Sequence, residues 1–144
     1  MTFMTTELLI DNRPCMVYAM PEPRCLVLTT LGAHERKDFE TLAQMIAKHT
    51  SVPFVLAAFT VTDWKAELAP WADSALSRRQ EVGTQAGATL DFVANALLPE
   101  MQGLYGTLGE EHTALVWHNG GHFTDCTLRL AQAFAWCINR ITTL

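Results

Sequence analysis

The run FVLAAFTV at positions 54–61 constrains this chain more than any other stretch. It carries no charge, no glycine and no proline, and it shows no alternation of polar with apolar residues. That pattern belongs to a strand covered on both faces, as in a parallel sheet lying between two layers of helices. Its flanks agree with that placement. From Lys37 to His49 the residues Phe39, Leu42, Ile46 and His49 recur at three- or four-residue spacing, which predicts a helix with one buried face. Ser51-Val52-Pro53 stops that helix just before the strand begins.

Two further strand-like runs precede the helix. PCMVYAM (14–20) and CLVLTTL (25–31) are separated by PEPR, which is turn chemistry, and the pair is expected to form a hairpin. After the central run comes a long connection, TDWKAELAPWADSALSRRQEVG (62–83), with two tryptophans and a proline. Connections of this length inside compact domains tend to be functional. A helix is predicted from Gln85 to Leu98, with Leu90, Val93, Ala94 and Leu97 on one side and Pro99 just beyond its end. MQGLYGTLGEEH (101–112) reads as a linker, and TALVW (113–117) as a short strand. Thr124 can cap a last helix to about Thr142, bearing a stripe of Leu130, Phe134, Cys137 and Ile141 beside Leu128, Ala131, Ala135 and Ile138. Trp117 and Trp136 read as core residues. The order β-β-α-β-α-β-α predicts a small three-layer α/β domain over 1–144, its sheet mostly parallel with helices on both faces.

Composition narrows the partners. With 49% hydrophobic and 17% charged residues, the chain can fill a core and does not resemble a disordered one. The net charge is −5, and the only adjacent basic pairs are Arg36-Lys37 and Arg78-Arg79, so no phosphate-binding face is expected and nucleic acid is not an expected partner. No apolar run approaches the length of a membrane span. The opening residues MTFMTTELLIDNRP show no basic head and no apolar signal core, and Cys15, Cys25, Cys126 and Cys137 show no CxxC pair. Together these features read as a cytoplasmic protein with reduced thiols.

The chemistry centres on HNGGHFTD (118–125), which leaves a strand and enters a helix. A loop at the carboxyl end of a strand is a usual mounting for a general base, and His122 is the candidate. Its plain alternative is a loop histidine bonded to backbone. Cys126 is a candidate nucleophile, because the first turn of a helix lowers a thiol pKa, although a buried inert thiol has the same sequence signature. Thr29 and Thr30 near a strand end are further candidates, and Asp63 or Glu35 could orient the imidazole. His118, His122, Asp125 and Cys126 invite a metal reading, but the two histidines flank a Gly-Gly turn instead of a helical H-x3-H, so no metal is expected. Gly103, Gly106 and Gly109 lack the strand-turn-helix setting of a nucleotide loop, and no cofactor is expected.

The segments VPFVLAAFTVTDWKAELAPW and GGHFTDCTLRLAQAFAW are similar to those of α/β-hydrolase-fold esterases of the siderophore-esterase and esterase D type. Asp63, Trp64, Glu67, Leu68, Pro70 and Trp71 match the family's loop after the central strand, with Glu67 where aspartate is usual and Ala69 where a hydroxyl is expected. The resemblance implies that His122 is the triad base. It also implies that Gly32-Ala33 forms one side of an oxyanion hole, that Trp64 and Trp71 line an acyl pocket, and that the substrate is a small ester or acyl compound. Against it, the chain has only Ser51, Ser74 and Ser77, none in a G-x-S-x-G elbow. About a dozen residues separate Leu98 from Thr113, where such an enzyme would hold its nucleophile strand and acid loop. The expectation is a reduced hydrolase fold lacking its centre, with little or no serine-dependent activity. Strand 113–117 is expected to fill the vacancy parallel to 25–31, since an exposed apolar edge invites aggregation. Residual hydrolysis through Cys126 or a threonine, and a non-catalytic or self-associating module, are the rival expectations.

Overall fold

A computed structural model describes residues 4–61, 86–106, 112–116 and 126–142. The first element is a strand that the sequence reading passed over. β1 (Met4–Ile10) and β2 (Arg13–Ala19) pair antiparallel, with Ile10 opposite Arg13. Only Asp11 and Asn12 lie between them, both left-handed at φ 49° and 64°. That is the backbone of a two-residue type I′ hairpin, the turn whose twist suits paired strands.

β3 (Cys25–Gly32), a 3-10 turn (Ala33–Asp38), α1 (Phe39–His49) and β4 (Phe54–Val61) follow. Every residue of β4 is buried, as its uninterrupted apolar run requires. The strand order is β1-β2-β4-β3-β5, with β5 spanning Thr113–Val116. β4 therefore lies between β2 and β3, and the hairpin expected of those two strands does not form. The PEPR link instead passes beneath the start of β4, where Met20 N–H donates to the Phe54 carbonyl (3.1 Å) and Arg24 N–H to the Pro53 carbonyl (2.9 Å). The sheet is mixed, not mostly parallel. β1/β2 and β2/β4 run antiparallel, whereas β4/β3 and β3/β5 run parallel. The physical reason is the tight Asp11-Asn12 turn, which can join only antiparallel neighbours.

The parallel part behaves as expected. β5 lies beside β3 in parallel register, Leu26 level with Thr113 and Thr29 level with Val116. The two crossovers, β3 to β4 and β4 to β5, travel in opposite directions along the sheet. Right-handed connections then place their helices on opposite faces. Phe39, Leu42 and Ile46 of α1 share one core with Ala131, Phe134 and Ile138 of α3 (Cys126–Thr142), against Val27, Phe54 and Leu56. The other face buries Val93, Leu97 and Met101 against Val17, Leu28, Val55 and Phe59.

Those three residues belong to α2, which corrects two expectations. α2 consists of Ala86–Phe92, a π-helical segment Val93–Leu97, and Leu98–Tyr105. It runs through Pro99, so residues 101–105 of the expected linker are helical. In the π segment Leu98 N–H reaches the Val93 carbonyl, five residues back. The wider turn comes directly before Pro99, whose ring would otherwise press on the carbonyl four residues earlier. The buried face is Val93, Leu97 and Met101, while Leu90 and Ala94 are exposed. On α3 the buried stripe is Ala131, Phe134, Ala135 and Ile138, and Trp136, expected in the core, is 65% exposed. Its indole lies 6.0 Å from the Arg140 guanidinium, one helical turn on.

Candidate functional site

In sheets of this kind ligands bind beyond the carboxyl ends of parallel strands. Here those ends are Gly32 on β3, Val61 on β4 and Val116 on β5, on three adjacent strands, with Gly32 level with Val61. Each is the departure point of a segment that the sequence singled out. Ala33 opens the 3-10 turn directly after Gly32. The 62–83 connection with Asp63, Trp64 and Trp71 begins after Val61, and the segment with His118 and His122 begins after Val116. Asp63, Trp64, Trp71, His118, His122 and Asp125 lie outside the described residues, as do the side chains of Ala33, Glu35 and Cys126. What the described residues fix is the placement of the stems. β3 and β5 sit side by side because both are apolar, and α3 returns from the stem at Val116 to pack on β3, β5 and α1.

Gly32 is half-buried, as a residue at the rim of a sheet should be. Thr29 and Thr30 are 1% and 2% exposed. Hydroxyls enclosed to that degree on β3 are not open to an ester in this structure. Cys126 is the first residue of the 17-residue α3. The other thiols are of a different kind. Cys15 and Cys25 are free and buried, and burial pushes their pKa values up to about 11 and about 12, against weaker lowering by Arg13 and Arg24. They are inert by desolvation. Among the described residues no group of three or more His, Cys, Asp or Glu could hold a metal ion.

One residue at this end of the sheet escaped the sequence reading. Arg13 Nη1 donates to the Thr60 carbonyl at 2.9 Å, and its guanidinium carbon lies 4.9 Å from the Phe92 ring centre and 5.9 Å from that of Phe59. Thr60 stands just before the 62–83 connection and Phe92 in the first helical turns after it. Arg13 thus fastens both stems of that connection to β2. The clue in the sequence was an arginine directly after the Asp-Asn turn, where the antiparallel pairing of β2 brings it to the carboxyl end of β4.

The described residues form an α/β fold with a five-stranded mixed sheet, and it resembles part of the fold of an α/β hydrolase. The chain is structurally similar to an IroE-like serine hydrolase from Shewanella oneidensis, with a TM-score of 0.57 at 18% identity over 81% of this chain and 42% of that one. It is also similar to an uncharacterised protein from Capnocytophaga ochracea DSM 7271, with a TM-score of 0.53 at 11% identity over 81% of this chain and 33% of that one. The likeness is one of fold, and the chain spans less than half the length of either protein. No protein-family model matches the sequence, and no curated protein matches it.

Proposed function

We propose that this chain is an esterase-like domain of α/β-hydrolase type that keeps a base, His122, but no serine nucleophile, and that serine-dependent ester hydrolysis by it is negligible. The observation that carries the reading is the parallel register of β5 on β3. It is the arrangement expected if the last strand of a larger hydrolase has closed up against the middle of the sheet. The absence of any G-x-S-x-G serine supplies the chemical half. In this reading Gly32 and Ala33 are the remaining side of an oxyanion hole, Asp63 orients His122, and Trp64 and Trp71 line a pocket for a small ester or acyl group. One side of such a hole stabilises an oxyanion poorly, because the donors act together. The compartment proposed is the cytoplasm, where four thiols stay reduced.

A second reading is favoured by the position of Cys126. A thiol in the first turn of a long helix is acidified by the helix dipole, and with His122 as base it could attack a carboxylic ester. A third reading, self-association, draws on Leu115, which is 40% exposed and lies on the α2 side of β5, level with Leu28. The deciding experiment follows p-nitrophenyl acetate release by the wild-type chain and by His122→Ala. The expected result is no release above buffer in either protein. Turnover that disappears in His122→Ala contradicts the leading reading, and parallel loss on iodoacetamide labelling of Cys126 selects the second. A dimer at micromolar concentration selects the third.

A further inference from the structure

We infer that two copies of this chain exchange their N-terminal hairpins, each β1–β2 unit docking on β4 of its partner, with the link at residues 20–24 as the hinge. The exchange is independent of the strand ends discussed above, and it does not depend on any hydrolase chemistry.

The hairpin is a separable piece. β1 and β2 pair along their whole length, from Met4 opposite Ala19 to Ile10 opposite Arg13. Within the sheet they meet the rest of the chain along one line, β2 against β4, from Cys15 opposite Phe59 to Ala19 opposite Val55. Tyr18 stacks on Phe54 with ring centres 5.8 Å apart, and Arg13 donates to the Thr60 carbonyl. Glu7 adds an ion pair with Arg36. None of these contacts depends on which copy supplies the hairpin. An edge of β4 laid bare by its departure is matched, residue for residue, by the same hairpin of a second copy.

What favours the exchange is the link between β2 and β3. Its ends are tied, Met20 N–H to the Phe54 carbonyl and Arg24 N–H to the Pro53 carbonyl. Between them lie Pro21, Glu22 and Pro23, and the prolines have no N–H to lose when this piece straightens. Proline holds φ at about −65°, and a residue before proline is driven to extended backbone, so Pro-Glu-Pro favours a straight path. Glu22 instead has φ 53°, a left-handed conformation that its Cβ and the following proline both oppose. The sheet order imposes it. β2 and β3 flank β4, so the link crosses two strand spacings, about 9.6 Å, where its residues in polyproline geometry would reach about 15 Å. Exchange lets the link run straight and relieves Glu22, and short hinges under strain promote exchange of this kind. Pro21 and Glu22 are exposed, so straightening them uncovers little.

The test refolds the full chain from urea at low and high concentration and separates the products by size. A short tether acts as an effective concentration of about a millimolar, and strain relieved at two hinges, about tenfold each, brings the crossover to about 10 µM. Refolding at about 1 µM should give monomer, and at about 300 µM dimer. In a dimer refolded from a mixture of isotope-labelled and unlabelled chains, interchain NOEs between the Tyr18 and Phe54 rings are expected. Glu22→Gly takes φ 53° without penalty and should need about a hundredfold higher concentration to dimerise. Glu22→Pro cannot take that angle and should give dimer already at about 1 µM. Leu115→Ser should leave the exchanged dimer intact, which separates it from self-association through β5. The inference is overturned by monomer alone at about 300 µM, by a dimer without interchain Tyr18–Phe54 NOEs, by a Glu22→Gly crossover equal to that of the wild type, or by a folded Glu22→Pro monomer at about 1 µM.

Discussion

Val116 at the end of β5 stands level with Thr29 of β3, on the neighbouring parallel strand. This pairing sets the height at which the chain leaves the sheet toward His122. It also shows how a sheet flanked by helices can close with few strands: β5 contributes only Thr113–Val116, and α3 supplies the cover. The weight of that cover falls on Phe134, which is fully buried between α3 and the sheet. Phe134→Ala should lower unfolding free energy by about 3–5 kcal/mol, measured by urea denaturation, since it removes a large ring and leaves a cavity. A loss below about 1 kcal/mol would mean that α3 is not docked as described.

The two buried strand thiols give the chain a stability that depends on alkaline pH. Cys15 and Cys25 have native pKa values of about 11 and about 12, against 9.0 for the free group. Below pH 9 both states hold these protons and the thiols add no pH dependence. Between pH 9 and 11 the unfolded chain loses protons that the native chain retains, so stability falls as pH rises. The slope approaches about 1.4 kcal/mol per pH unit for each thiol. Denaturation midpoints measured from pH 7 to 11 should be flat at first and then decline. Cys15→Ala/Cys25→Ala should remove the part of the decline that begins near pH 9, leaving that due to Tyr18 and Tyr105, whose pKa values burial also raises above their usual 10.0. At pH 8 iodoacetamide should modify half-buried Cys137 well before either strand thiol.

Arg13 joins the ends of the 62–83 connection to the hairpin. Arg13→Met keeps much of the aliphatic stem but removes the bond to Thr60 and the cation on Phe92, and should cost about 1–2 kcal/mol in thermal or chemical unfolding. Arg13→Lys should recover less than half of that loss, because an ammonium lacks the planar surface that lies over the ring. Full recovery by lysine would reduce the arginine to a simple charge.

The hairpin turn offers a stabilising substitution. Asn12 has φ 64°, a conformation that glycine adopts without a side-chain penalty. Asn12→Gly completes the Asp-Gly pair favoured in type I′ turns and should raise the melting free energy by about 0.5 kcal/mol. Asn12→Val should lower it by more than that, since a β-branched side chain resists positive φ.

Where the sequence spoke clearly, one physical demand was acting alone. β4 was legible to the residue because every one of its positions is buried, so nothing in it alternates. The placement of β5 followed from the need to cover the edge of β3. β1 was missed because it is an edge strand mixing Glu7 and Thr5 with Leu8 and Ile10, and Glu7 is tied by an ion pair to Arg36. The signal was there in ELLI-DN-RPCMV, two short runs around a two-residue turn. Pro99 was read as a helix end, which it usually is, and nothing in a single sequence announces the π turn that lets the helix continue. Trp136 was misassigned because the last helix has apolar residues around nearly half its circumference. Which part turns inward is decided by the space beside α1, and small Ala131 and Ala135 fit there while an indole does not. At the rim, the sequence identified the segments, and the fold brought their stems onto three neighbouring strands.

The position of β4 has a consequence for how the chain is assembled. The strand at the heart of the sheet is synthesised after both of its neighbours, so β2 and β3 must wait, apart, until the residues that separate them emerge. The N-terminal hairpin can form early from nearby contacts, whereas the β3-α1-β4 unit has to be complete before it can dock on that hairpin. Folding should then be gated by the docking of β4, an uncharged strand whose one polar residue is Thr60, with its β3-α1 partners onto the hairpin. That step leaves the most aggregation-prone stretch of the chain unprotected for longest.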